Sequence, residues 1–193
     1  MEIILVRHGK PAFDMRKKFA AKALAAELDN YDASGIAADS HPTQELRNVI
    51  QQSASVFCSD FRRSIESIER LHPEGTFTSL PLFREAPLPR HVPIPFRQSA
   101  MSWVAIARTL WCMGYAGGAE SYVQARRRAG EAAQHLIQHT REVGPVALIG
   151  HGLMNLFIAK YLLNQGWAGP KKHNSDHWGW SVYQSAEYSI LDS

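Results

Sequence analysis

Two short aliphatic runs, residues 3–6 and 146–149, each stop at a histidine bordered by glycine: Arg7-His8-Gly9 after the first and Gly150-His151-Gly152 after the second. Short apolar runs of this kind read as strands buried on both faces, which requires helices above and below them. The rest of the chain supplies these. Helices are expected over 20–28, 42–51 (capped by Ser40 or His41), 61–71, 99–113, 119–142 and 153–164, with turn residues at 30–35 ending the first. Further strands are expected over 56–59, 76–80, 181–184 and 188–191. Strands alternating with helices predict an α/β fold, a layered sheet with helices on both faces. Ligands of such sheets gather in the crevice outside the carboxyl ends of the strands. That directs attention to Arg7-His8-Gly9, to 59–63, to 82–85 and to Gly150-His151-Gly152.

A chain of 193 residues, 45% hydrophobic and 20% charged, suits one compact domain over 1–193 and excludes disorder or a collagen-like repeat. No run approaches the roughly 18–20 apolar residues of a membrane helix, and the apolar start is too short for a secretory leader. The two cysteines, Cys58 and Cys112, lack paired spacing, so a reducing, cytoplasmic setting is expected. A net charge of +3 favours an anionic substrate and is too slight to argue for nucleic acid; no membrane partner is expected either.

If the two strands run parallel, His8 and His151 project from one edge of the sheet. Arg7 and the Arg62-Arg63 pair can converge there, and guanidinium forks match phosphate oxygens bidentately. Glu85, on a proline-rich segment spanning 81–95, can bring a carboxyl group. This set suits phosphoryl transfer through a histidine. A neutral imidazole attacks phosphorus, cationic donors meet the charge of the equatorial oxygens, and a carboxylic acid protonates the leaving alkoxide. The charge that a metal supplies elsewhere is supplied by side chains, so no metal or other cofactor is expected.

The chain resembles the histidine phosphatase superfamily, the phosphoglycerate mutase-like group. Leu5-Val6-Arg7-His8-Gly9 matches its strand-plus-RHG signature, and Cys58-Ser59-Asp60-Phe61-Arg62-Arg63-Ser64 resembles its S-D-L-x-R-A motif. Arg84-Glu85 stands where the proton donor often lies, Leu148-Ile149-Gly150-His151-Gly152 matches the GHG motif, and Gly118-Ala119-Glu120-Ser121 is similar to a G-G-E-S helix opening. The resemblance implies a three-layer α/β/α sandwich around a mostly parallel sheet of about six strands. It implies His8 as nucleophile, Glu85 as proton donor and general base, and Arg7, Arg63 and His151 as phosphate ligands, with Arg62 the rival of Arg63. Segment 86–118 is then a substrate-covering insertion, and Arg62, Phe83, Arg84, Arg90, His91, Phe96 and Trp103 are candidate substrate contacts. The implied activity is a metal-independent phosphatase acting on a small phosphorylated metabolite or a phosphoprotein. A phosphomutase and a non-catalytic phosphate-recognising module are the alternatives. Two positions depart from the pattern: Pro11 replaces a hydroxyl and an amide donor, and Asp14 stands in the place of an asparagine. Asp14 is expected to turn away or to pair with Lys10 or an arginine.

Other features read as structural. His135 and His139, and likewise His173 and His177, are expected on exposed helix faces and not as zinc ligands. Arg126-Arg127-Arg128 reads as a solvated face, Gly114 to Gly118 as a turn between helices, Cys58 as a small core residue, and Trp167, Trp178 and Trp180 as packing.

Overall fold

The computed structural model describes residues 1–93 and 95–185. Its main sheet has strands β1 (Glu2–Arg7), β3 (Ser55–Ser59), β4 (Thr78–Leu80), β6 (Val146–Gly150) and β7 (Trp180–Gln184), in the order β4-β3-β6-β1-β7. The first four are parallel and β7 is antiparallel to β1. Five strands are thus described where about six were expected. The remaining expected strand, 188–191, lies outside the described residues.

Side chains of β1 alternate between two cores, as the pleat requires. Ile3 and Leu5 enter one, together with Leu136 of α5 (Tyr122–Val143) and Ile158 of α6 (Gly152–Asn164). Ile4 and Val6 enter the other, against Leu46 and Ile50 of α2 (Gln44–Gln51) and Ile68 of α3 (Arg62–Leu71). These layers make the expected α/β/α sandwich. The cap of α2 is Thr43, whose side chain accepts from the Leu46 amide, and not Ser40 or His41.

A third core was not foreseen. Lys18–Ala20 (β2) and Arg97–Ser99 (β5) pair antiparallel as a separate two-stranded sheet. Beneath it Phe19, Leu24, Val92, Ala100, Trp103 and Ala107 are buried together, joining α1 (Leu24–Ala33) to α4 (Ala100–Cys112). Helix α1 therefore starts four residues later than expected and runs on through Asn30, Tyr31 and Asp32, which read as a turn. Their turn propensity is overridden by packing, since Phe13 meets Tyr31 edge-on at 5.4 Å. Trp103, a candidate substrate contact by sequence, is fully buried in this core and donates through Nε1 to the Phe19 carbonyl at 3.0 Å. Trp103→Ala should destabilise the protein by about 3–5 kcal/mol, read as a lowered urea midpoint, because it opens a cavity and strands that carbonyl.

Candidate active site

The register Arg7↔Gly150 places the next residues of β1 and β6, His8 and His151, side by side. The His8 amide donates to the Gly150 carbonyl at 3.0 Å, and the two rings meet edge-on with centroids 5.0 Å apart. Gly150 has no room for a side chain, since a Cβ there would lie 2.3 Å from Oδ1 of Asn155. Asn155 is fully buried and its Nδ2 donates to the Val6 carbonyl, tying α6 to β1.

His8 is 2% exposed, and its Nδ1 lies 2.7 Å from the carbonyl oxygen of Gly9. A carbonyl can only accept, so Nδ1 carries the proton and Nε2 the lone pair. Burial, then Arg63, holds the His8 pKa well below 6.5, and the same two causes act on His151, so both rings are neutral at pH 7. His151 is the N-cap residue of α6 and its Nε2 lies 3.4 Å from Ser64 Oγ.

The two adjacent arginines of α3 go separate ways. Arg62 turns outward to Glu66 at 2.6 Å, while Arg63 is 1% exposed and stacks over the rings of Tyr31 and Phe61 at 4.5 and 4.7 Å. Its terminal nitrogens donate to the Tyr31 carbonyl and, at 3.3 Å, to Asp32. The Nε atoms of Arg7 and Arg63 and Nδ1 of His151 are buried with no hydrogen-bond partner among the described residues. Arginine Nε–H can only donate, so the two arginines call for an acceptor, and an oxyanion meets that need.

Glu85 caps α6: one carboxylate oxygen accepts from the amides of Ala86 and Met154, the other from that of Leu153. It therefore stands at the same helix N-terminus as His151. The loop that carries it is fastened by Arg128, which donates to the carbonyls of Leu82 and Arg84 and pairs with Glu120 at 2.7 Å. Arg128 is thus a fastening residue and no solvated one, although Arg127 is exposed as expected.

The candidate substrate contacts are spread more widely. Arg84 makes a bidentate pair with Asp60, Arg90 donates from Nη2 to both carboxylate oxygens of Asp29, and His91 is exposed. Asp14 turns to Arg16, as the pairing expected of it requires. Among the described residues no group of three His, Cys, Asp or Glu side chains is placed to hold a metal ion, and no helix is long and apolar enough to cross a membrane.

Two histidine pairs depart from the exposed helix faces expected of them. His135 and His139 lie edge-on against Phe57, at 5.2 and 4.9 Å. His173 and His177 lie on the connection before β7, with His173 buried and the His177 ring 5.7 Å from that of His8. Asp32 and His177 are the site residues that sequence reasoning missed. Asp32 sat in a misjudged turn; its carboxyl pKa is raised by burial against the pull of Arg63. His177 precedes a strand, where only residues following strands were considered.

The sequence profile described as histidine phosphatase superfamily (branch 1) matches residues 3–190. No curated protein matches the sequence significantly. Among solved structures, a mycobacterial glucosyl-3-phosphoglycerate phosphatase complexed with VO3 is similar at a TM-score of 0.60 and 16% identity, covering 95% of this chain and 94% of its own. Phosphoserine phosphatase of Entamoeba histolytica, in complex with 3-phosphoglyceric acid, is similar at a TM-score of 0.58 and 12% identity, covering 94% and 89%. At these identities the likeness is one of fold.

Burial of neutral histidines makes the fold acid-sensitive. Neither ring nitrogen of His173 has a partner among the described residues, and burial, with Arg7 adding to it, lowers its pKa from 6.5 to about 4. The folded value lies below the unfolded one. This contribution to stability is therefore complete above pH 6.5 and is lost as the pH falls towards 4, at up to about 1.4 kcal/mol per pH unit for each such ring. Urea unfolding measured across that range should show falling stability, and His173→Phe should flatten the slope by close to one proton.

Proposed function

The chain belongs to the histidine phosphatase superfamily, and on that footing we propose that it is a phosphatase that hydrolyses a phosphate monoester or phosphoramidate through a phosphohistidine on His8. The observation that carries this reading is the bond from His8 Nδ1 to the Gly9 carbonyl, which leaves Nε2 as the attacking nitrogen in a ring that burial keeps neutral. Arg7, Arg63 and His151 offer to the transferred group buried nitrogens that have no hydrogen-bond partner among the described residues. Their charge and dipoles meet the equatorial oxygens, so no step calls on a metal.

In the first step Nε2 of His8 bonds to phosphorus as the P–O bond to the leaving group breaks, and Glu85 gives its proton to the departing oxygen. In the second, water attacks phosphorus and passes a proton to Glu85; the N–P bond breaks, releasing inorganic phosphate and neutral imidazole. A carboxylate has about four acceptor sites. The amides of Ala86, Leu153 and Met154 take three, which leaves one for the proton in transit. Segment 86–118 forms the cover over this site and sets specificity; the packing of its Val92, Trp103 and Ala107 against Phe19 and Leu24, apart from the two cores of the main sheet, supports that reading. The substrate is a small phosphorylated metabolite, a class to which the names of both similar structures point for their own proteins.

His8→Ala should lower phosphate release from an aryl phosphate by about 10⁴-fold or more with the melting midpoint retained, the scale of losing a covalent nucleophile. Wild-type turnover by that variant would refute the reading, and isomerised product in place of released phosphate would make the protein a mutase. Glu85→Gln should lower kcat/KM for alkyl phosphates by about 10²–10⁴-fold and spare aryl phosphates, whose leaving group needs no acid. The same pattern in Asp32→Asn, with Glu85→Gln unaffected, would move the acid role to Asp32.

A further inference from the structure

We propose that His177 is a third imidazole of the site, donating a hydrogen bond from Nε2 to an oxygen of the phosphoryl group carried on His8. The proposal rests on the phosphohistidine reading above and adds a residue to it.

Its ring centroid is 5.7 Å from that of His8, with the planes tilted by 32°. The residue as a whole is half-buried, yet its Nε2 is buried and has no partner among the described residues. Burial and the nearby Arg7 lower its pKa to about 4, so at neutral pH the ring has one N–H to give and adds no charge beside the nucleophile.

The connection is built to hold that ring in place. The Arg7 amide donates to the Gly179 carbonyl at 2.9 Å, and the Trp178 amide to the Arg7 carbonyl at 3.2 Å. The Arg7 guanidinium reaches the Ser175 carbonyl, Trp178 Nε1 donates to Ser40 Oγ at 2.9 Å, and the Gly179 amide closes the turn onto Asp176. Trp178 has φ 62°, making it the one non-glycine residue with positive φ among those described. A bulky residue in that region is strained and persists only where surrounding contacts impose it. Here the strained residue is the immediate neighbour of His177, and the contacts that impose it come from Arg7, the residue before His8, and from Ser40.

The opposite side of the motif explains the need for such a donor. In the loop following His8, Pro11 has no amide hydrogen and Asp14 is engaged with Arg16. A ring delivered from the connection before β7 supplies a neutral donor that this loop does not.

The test compares His177→Phe, which keeps the ring's shape and removes its nitrogens, with His177→Gln, whose amide nitrogen can stand near the position of Nε2. Orthovanadate affinity and kcat/KM for an aryl phosphate are measured well below each variant's melting midpoint. The Phe variant should lose about 10²-fold in kcat/KM and weaken vanadate by a similar factor, the scale of one preorganised oxyanion donor. The Gln variant should regain about tenfold or more of both. A Phe variant equal to wild type in both measurements, or a Gln variant as impaired as Phe, overturns the proposal, because the ring would then only pack. Vanadate binding needs no turnover. A wild type that hydrolyses nothing would sink the phosphatase reading alone, and the role of His177 would still be decided by whether the Phe variant binds vanadate as tightly.

Discussion

Everything at the candidate site depends on how one strand lies against another. The parallel pairing of β1 with β6 ends at Arg7 opposite Gly150, and the His8 amide extends the ladder by one bond to the Gly150 carbonyl. A slip of one residue would turn one imidazole to the other face of the sheet and send Ile3 and Leu5 into the wrong core. The hydrophobic alternation that stabilises the sandwich is thus the same device that aligns two histidines far apart in sequence. The site needs no separate scaffold, because the free energy of burying aliphatic side chains fixes its geometry.

Around that pair, charge is confined by neighbours and not merely placed. Arg63 lies between two aromatic rings, with Asp32 holding its outer edge, so its guanidinium cannot swing away from the histidines. Glu85 is held by two amides at the start of α6 and by that of Ala86, and its loop by Arg128. Preorganisation of this kind spares the site the reorganisation that flexible charges would require as the phosphoryl group transfers. Both rings remain uncharged in this cationic setting because solvent is excluded and Arg63 opposes protonation.

The sequence was most legible where one local rule governs. Abrupt aliphatic runs marked β1 and β6, and the residues following them could be placed without any long-range information. Choosing between Arg62 and Arg63 needed tertiary structure, since both sit on the first turn of α3 and only the ring of Phe61 and the α1 residues distinguish inside from outside. Asp32 was hidden because Asn30 and Asp32 carry turn propensity, while the apolar contacts that keep α1 going come from segments distant in sequence. His177 was hidden for a topological reason. The rule that ligands collect after strands holds for parallel strands, and β7 runs the other way, so it is the residues before Trp180 that reach the carboxyl edge of β1. Arg128 looked solvated because it stands in a run with Arg126 and Arg127, which are exposed, and the carbonyls it fastens carry no signature in sequence.

The contact between Gly9 and Trp178 carries a consequence for how such a chain can change over evolutionary time. A Cβ at position 9 would come within 2.5 Å of the Trp178 indole, and that indole is anchored to Ser40. Position 9 cannot be altered alone: any side chain larger than hydrogen there demands a smaller ring at 178, and a smaller ring gives up the anchor on Ser40 beside the neighbouring histidine. Descendants of this sequence should therefore exchange the two positions together or leave both untouched, so that a pair separated by most of the chain drifts as a single character.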